Sequence, residues 1–260
     1  MELRGKVAIV TGCGNGIGAA LSRRLTMEGA SVAVADRDVK AAGRVAAEIG
    51  GVAVETDVAR EEDVIRLIDL TEAQLGPIDL FCANAGIAFP GDEQASDDDW
   101  DRMWRVNFLS HVYAARHLVP AWRARGGGYL LVTASAAGLL TNIGAAQYTV
   151  SKHAAVAFAE WLSITYASDG IKVSCLCPQG VETRMLDEAG QMADLLRATA
   201  LTPDQVAKKV IEGIAEETFL ILPHPEVGEF LRNKASDPER WLAGMRRLHH
   251  SVFKTTKMGE

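Results

Sequence analysis

The sequence predicts a doubly wound α/β fold, a parallel sheet between two helical layers in a three-layer α/β/α sandwich. Seven short apolar or β-branched runs alternate with longer stretches of helical periodicity, the order that parallel strands joined by crossover helices require. The runs are continuously apolar rather than alternating, as strands covered on both faces are. The first run leads directly into a glycine-rich turn and an amphipathic helix.

The strand-like runs are 7–10, 32–35, 52–54, 80–82, 129–132, 173–176 and 219–222. After the first, Ile17, Leu21 and Leu25 recur at helical spacing, as do Val64, Leu67, Ile68 and Leu75 after the third. The acidic run from Asp97 to Asp101 reads as the first turn of a helix capped by Ser96, because carboxylates favour the positive end of a helix. Arg125-Gly126-Gly127-Gly128 forms the turn into the fifth strand. The regular pattern breaks at an amphipathic insert, about 183–201, and at a tail from 223 onward. In the tail, Trp241, Met245 and Leu248 fit a helix packed over the body or a neighbouring subunit, while 251–260 read as frayed.

At 260 residues and 48% hydrophobic content the chain is expected to form a single domain spanning 1–260. Its net charge of −7 opposes nucleic acid or an anionic membrane as a partner. No secretory apolar core and no membrane-length apolar stretch is read, so the expected location is cytoplasmic. Cys13, Cys82, Cys175 and Cys177 are expected to be buried thiols. The six histidines are scattered, and no catalytic metal is expected.

Thr11-Gly12-Cys13-Gly14-Asn15-Gly16-Ile17-Gly18 lies between a strand and a helix. There the backbone can approach a pyrophosphate, and the helix amino terminus supplies free N–H groups. The second strand ends at Asp36, 18 residues after Gly18, where a carboxylate can accept from the adenosine ribose hydroxyls. A 2′-phosphate would meet that negative charge, so NAD is preferred over NADP. Arg37 can pair with a phosphate if it turns inward, but beside Asp36 a solvated arginine is the preferred reading.

Tyr148 and Lys152 stand at i and i+4 on one helix face. A phenol titrating near 10 is a poor proton shuttle at neutral pH unless a nearby cation stabilises its phenolate. Ser135, 13 residues before Tyr148, follows the fifth strand and can donate to a substrate carbonyl. Thr133 is a rival donor set deeper in the strand.

Taken together, these motifs resemble the short-chain dehydrogenase/reductase family in its compact, single-domain, Rossmann-type form, over roughly residues 5 to 222. The glycine turn resembles the family's TGxxxGxG and Tyr148 with Lys152 its YxxxK, while Ser135 falls at the spacing of its catalytic serine. The resemblance implies that the tyrosine is acid/base, the serine holds the substrate oxygen, and the lysine binds the nicotinamide ribose and lowers the tyrosine pKa. It also implies adenine contacts at Asp57 and Val58 and a proton relay supported by Asn107. It places Asn84, Ala85, Gly86, Pro178, Gln179, Val181 and Thr183 along the cofactor, and implies a homodimer or homotetramer. The helices expected to pair carry Trp104, Phe108, Val112, Phe158, Trp161 and Leu162, which can equally pack on the sheet.

Two departures stand out. Ala83-Asn84-Ala85-Gly86 lacks the first asparagine of the family's Asn-Asn-Ala-Gly, which predicts a local adjustment between strands. Gln179 occupies a family glycine position, with an amide that can reach the nicotinamide or the substrate. Around the pocket, Ala88-Phe89-Pro90, Leu139-Leu140, Ile143-Gly144 and Met185-Leu186 favour an apolar secondary alcohol or ketone. Arg184 is read as solvated rather than as a ligand for a carboxylate or phosphate. The expected activity is NAD-dependent hydride transfer between nicotinamide and such a substrate. The alternatives are an NADP-dependent ketone or acyl-chain reductase and a non-catalytic nucleotide sensor.

Overall fold

The computed structural model describes residues 1–253. In chain order the elements are β1 (Val7–Thr11), α1 (Gly16–Met27), β2 (Ser31–Asp36), α2 (Val39–Ile49), β3 (Val52–Glu55), α3 (Glu61–Leu75), β4 (Leu80–Ala83) and α4 (Asp97–Trp104). They continue with α5 (Ser110–Ala124), β5 (Gly128–Thr133), α6 (Ala146–Thr165), β6 (Ile171–Leu176), α7 (Arg184–Asp187), α8 (Ala193–Arg197), α9 (Pro203–Glu216), β7 (Leu220–Ile221), α10 (Pro225–Ser236) and α11 (Pro238–Phe253). The strands form one sheet in the order β3-β2-β1-β4-β5-β6-β7. All pairings are parallel.

Two apolar cores flank this sheet. On one face α1, α2 and α9 bury Leu21, Leu25, Val45, Val206, Val210 and Ile214. On the other, α3, α5 and α6 bury Val64, Leu67, Leu118, Trp122, Ala155 and Leu162. The strand order reverses between β1 and β4, so the loops leaving these strands part to opposite sides and leave a crevice at the carboxyl edge.

Local chemistry sets several element ends. Ser96 Oγ accepts the Asp99 N–H at 3.2 Å, so the acidic run does open α4. Asp38 caps α2 by accepting from Ala41 at 3.0 Å. Thr202 and Gln205 form a reciprocal capping box on α9, with Pro203 in its first turn. Between α4 and α5, Arg105–Leu109 winds as a π turn, which the helical periodicity does not disclose.

Two expectations need correction. β3 is an edge strand whose Ala53 and Glu55 are exposed, so continuous burial fails where the sheet ends. Ser251 to Phe253 belong to α11 rather than to a frayed end, with the Phe253 ring set against Gly144. The remainder of that expectation, 254–260, lies outside the described residues. Leu162 turns into the core, whereas Trp104, Phe108, Phe158 and Trp161 form an outer aromatic row with centroid separations of 4.5, 6.0 and 6.2 Å. All four cysteines are buried free thiols.

Gly128 opens β5 where the Trp122 indole covers it, and the indole N–H is held by the Ile78 carbonyl at 2.7 Å. A Cβ at this position would run into the ring. Gly128→Ala is therefore expected to cost about 1–3 kcal/mol, as overpacking of a buried site does. Thermal unfolding measures it, and an unchanged midpoint would show that the indole moves aside freely.

Candidate active site

The cofactor half is built where β1 meets α1. Gly12 has φ +66°, and a Cβ there would lie 2.7 Å from the Ala85 Cα. A Cβ on Gly18 would overlap the Gly12 carbonyl, so turn and helix approach as closely as backbone allows. Asn15 stands at the helix start without a capping side-chain bond. The N–H groups of Gly16, Ile17 and Gly18 precede the first intrahelical bond, so they are free to bind an anion.

Asp36 ends β2 and faces this turn. Its Oδ2 accepts the Gly14 N–H at 2.8 Å and its Oδ1 accepts the Asp38 N–H at 2.9 Å. Each oxygen keeps a further lone pair for a ribose hydroxyl. Arg37 is exposed and forms no ion pair among the described residues, in line with the solvated reading. Farther along the edge, Asp57 is exposed and accepts from Ala59 at 3.0 Å, while Val58 is buried. A glycine cradle that side chains would fill, an open helix terminus and an acidic strand end together fit a dinucleotide.

The catalytic candidates converge at the ends of β4 and β5. Tyr148, 9% exposed, and Lys152, 3% exposed, share one face of α6. Lys152 Nζ donates to the Thr133 carbonyl at 2.9 Å and lies 5.8 Å from the centre of the Tyr148 ring. Ser135 starts a 3₁₀ turn, its Oγ accepting from Ala137 at 3.1 Å and facing the Tyr148 phenol. The Thr133 hydroxyl is engaged by Asn84 Oδ1 at 3.3 Å, which removes it as Ser135's rival.

Asn107 lies buried in the π turn and clamps the segment after β4. Its Oδ1 accepts the Ile87 N–H at 2.9 Å, and its Nδ2 donates to the Ile87 carbonyl at 2.9 Å. Gly86 leaves room there, since a Cβ would sit 3.3 Å from Asn107 Oδ1 and 3.4 Å from Lys152 Nζ. On the far wall, the Pro178 carbonyl accepts the Ala136 N–H at 2.8 Å. Thr183 donates to the Val181 carbonyl at 3.2 Å, and its methyl reaches Gly16. The 178–183 segment thus spans from the serine side to the anion-binding helix end.

The short chain dehydrogenase family profile matches residues 6–194. The chain belongs to this family. It is 35% identical to 1-deoxy-11-beta-hydroxypentalenate dehydrogenase of Streptomyces exfoliatus, across 91% of this chain and 90% of that one. It is 33% identical to meso-2,3-butanediol dehydrogenase of Serratia marcescens, across 71% and 75% respectively. Among solved structures, a short chain dehydrogenase/reductase from Burkholderia phymatum in complex with NAD superposes with a TM-score of 0.85. That match has 29% identity and covers 92% of this chain and 96% of the other. Membership makes the protein an oxidoreductase of hydroxyl or ketone groups that uses a nicotinamide cofactor.

As a short-chain dehydrogenase it shows how the missing asparagine is absorbed. Ala83 completes β4 opposite Val132, and Asn84 ties the loops instead, donating from Nδ2 to the Thr11 carbonyl at 2.9 Å. Thr11 Oγ1 in turn accepts the Asn84 N–H at 3.0 Å and the Ala85 N–H at 3.1 Å. Thr11 and Ser151, which receives a 3.2 Å bond from Asn107, are site-building residues that the sequence reading passed over. Both sit inside the quoted motifs, so their position was the available signal. The Gln179 side chain leaves its Oε1 buried and without a hydrogen-bond partner among the described residues, an acceptor that the chain itself does not satisfy. Arg184 turns to solvent at 82% side-chain exposure and pairs with Glu188 at 2.7 Å.

Burial dominates the electrostatics. It pushes the Tyr148 phenol above its ordinary value, with the Ser135 hydrogen bond opposing, so the expected lowering by Lys152 does not prevail in this geometry. It also pushes the Lys152 ammonium down from 10.5 to about 8. Between those values the unfolded chain binds the proton more readily than the folded one. The stability from neutral Lys152 is therefore present above pH 10.5 and lost as pH falls through about 8. Melting curves of the wild type and Lys152→Met at about pH 7 and 10 test this. The gap is expected to move in favour of the wild type by on the order of 5 °C at the higher pH, and a pH-independent gap would contradict it.

Proposed function

We propose that the chain is an NAD-dependent dehydrogenase/reductase that interconverts an apolar secondary alcohol and its ketone, with Tyr148 as acid/base. The observation that carries this reading is the convergence of Ser135, Tyr148 and Lys152 at the carboxyl edge of β5, beside a turn that fits a dinucleotide. The bound nicotinamide supplies the hydride acceptor or donor. Ser135 orients the substrate oxygen by hydrogen bonding, and Tyr148 takes the hydroxyl proton in oxidation or returns it in reduction. Lys152 spends one donor on Thr133 and keeps two for the ribose and the developing phenolate. Asn107 holds the Ile87 backbone that borders this charge.

NAD is favoured because the Asp36 carboxylate, held beside the glycine turn by the Gly14 and Asp38 N–H groups, would repel a 2′-phosphate on a ribose bound there. An apolar substrate is favoured by Ile87, Ala88 and Phe89, which pack with Met103, Ala137, Ala145 and Tyr148. A separate cavity of about 290 Å³ lies between Leu140 and Ile143 of the loop before α6 and Trp241, Met245, Arg246 and His249 of α11. The four free thiols accord with the reducing conditions of a cytoplasmic location.

Tyr148→Phe is expected to lower kcat by about 10²–10⁴-fold, the usual worth of a general acid/base, with NADH affinity retained. A panel of secondary alcohols read as NADH absorbance measures it. Turnover with NADP equal to that with NAD would transfer the reading to an NADP-dependent reductase. NAD binding without any turnover would leave a nucleotide sensor.

The assembly proposed is a homodimer or homotetramer paired through α5 and α6. Its support is the α6 face carrying Val150, Trp161 and Ile164, with Trp161 52% exposed at the end of the aromatic row. Sedimentation should show an oligomer for the wild type and a smaller species for Trp161→Glu. A monomeric wild type would refute the pairing.

A further inference from the structure

The link between β7 and α10 ends at His224, a ring 2% exposed and remote from Tyr148 in sequence. Its Nδ1 accepts the Gln179 N–H at 3.1 Å. A ring nitrogen that accepts carries no proton, so the single proton of the neutral imidazole lies on Nε2. Nε2 is buried without a hydrogen-bond partner among the described residues, and the Gly180 and Thr199 carbonyls face the ring.

These neighbours form the stem of the 183–201 insert. Leu201 donates to the Gly180 carbonyl at 3.1 Å, and Glu182 donates to the Leu201 carbonyl at 2.9 Å, so both ends of the insert are stitched together. Gly180 also presses on the Leu196 backbone, where a Cβ would collide with a carbonyl. The ring therefore touches three parts at once: the segment that bridges Ser135 to the anion-binding turn, the insert's closing residues, and the start of the α10–α11 pair.

We propose that His224 is a positioning residue whose neutral ring pins Gln179 and the insert stem, setting the 178–183 backbone for the nicotinamide end of the cofactor. The pin depends on the proton count. A protonated ring would point an N–H at the Gln179 N–H, donor against donor, and the contact would open. Glu226 on α10 is the charged side chain facing the ring, and from the segment and the insert the ring meets backbone groups, the Gln179 N–H and the Gly180 and Thr199 carbonyls. Burial outweighs Glu226 and holds the pKa below its ordinary 6.5, so the contact persists at neutral pH and loosens as pH falls below that value.

The proposal rests on reading 178–183 as the nicotinamide side, but its test is made on the protein alone as well as on the complex. Amide hydrogen exchange, corrected for intrinsic rates, is expected to show Gln179 protected at about pH 7.5. His224→Phe should lose protection and weaken NADH binding, measured by fluorescence titration, by about 5- to 10-fold each, the worth of one hydrogen bond. His224→Asn keeps an acceptor near the Nδ1 position and should recover most of both. Nitrogen-15 shifts of the wild-type ring should report the Nε2–H tautomer, which decides the matter without a variant if His224→Phe does not fold. A proton on Nδ1, or His224→Phe exchanging and binding NADH like the wild type, would overturn the proposal. An enzyme that turns over no alcohol but keeps Gln179 protected and its tautomer would overturn the dehydrogenase reading and leave the pin standing.

Discussion

The site is organised around a buried ammonium resting on the last carbonyl of a central strand. Lys152 reaches the Thr133 carbonyl at 2.9 Å, and that bond fixes how α6 is rotated about its own axis above the sheet. Tyr148, one turn earlier, inherits the same rotation and faces Ser135. Burial of the cation is unfavourable in itself, so its geometry is held by surroundings that cannot readily relax. A Cβ on Gly138 would strike the Lys152 carbonyl, and one on Gly86 would crowd the ammonium, so both backbones lie close against the lysine.

The same economy governs the polar groups at the strand ends. The apolar sheet terminates in Thr11, Asn84 and Thr133, whose side chains and backbone satisfy one another across β1, β4 and β5. Buried polar groups that are mutually bonded give rigidity without demanding solvent. They also place the loops, since Asn84 draws its segment over the glycine turn while Asn107 holds Ile87 and donates to Ser151 of α6. The crevice is therefore bordered by backbone whose position is set by side chains beneath it.

Much of this was legible in the sequence, because it follows from local rules. The seven runs fell on the seven strands, with β7 reduced to two ladder residues because it closes the sheet. Asp36, Ser135, Tyr148 and Lys152 announced themselves by spacing from glycines and from one another, and the structure places the last three together. Edge position was not legible, since Val52-Ala53-Val54 has the composition of a covered strand and only the strand order exposes Ala53. His224 was illegible for a different reason. Its partner is 45 residues away in sequence, and no periodicity or motif relates a turn histidine to a backbone N–H across the sheet edge. Burial misled in the opposite sense at Tyr148, where helical spacing suggests only the helpful cation and says nothing of desolvation.

The π turn at Arg105–Leu109 carries one more residue per turn than its flanking helices. Each residue of an α-helix advances about 100° around the axis, so removing the surplus one would turn everything downstream through more than a quarter circle. Asn107 would leave Ile87 and Ser151, and the aromatic row from Phe108 would rotate with it. This single surplus residue phases two surfaces at once, the clamp facing the crevice and the hydrophobic face of the neighbouring helix pair. Length variation that a surface loop absorbs unnoticed would act here as a change of reading frame, and the inner and outer faces of the enzyme are bound to vary together.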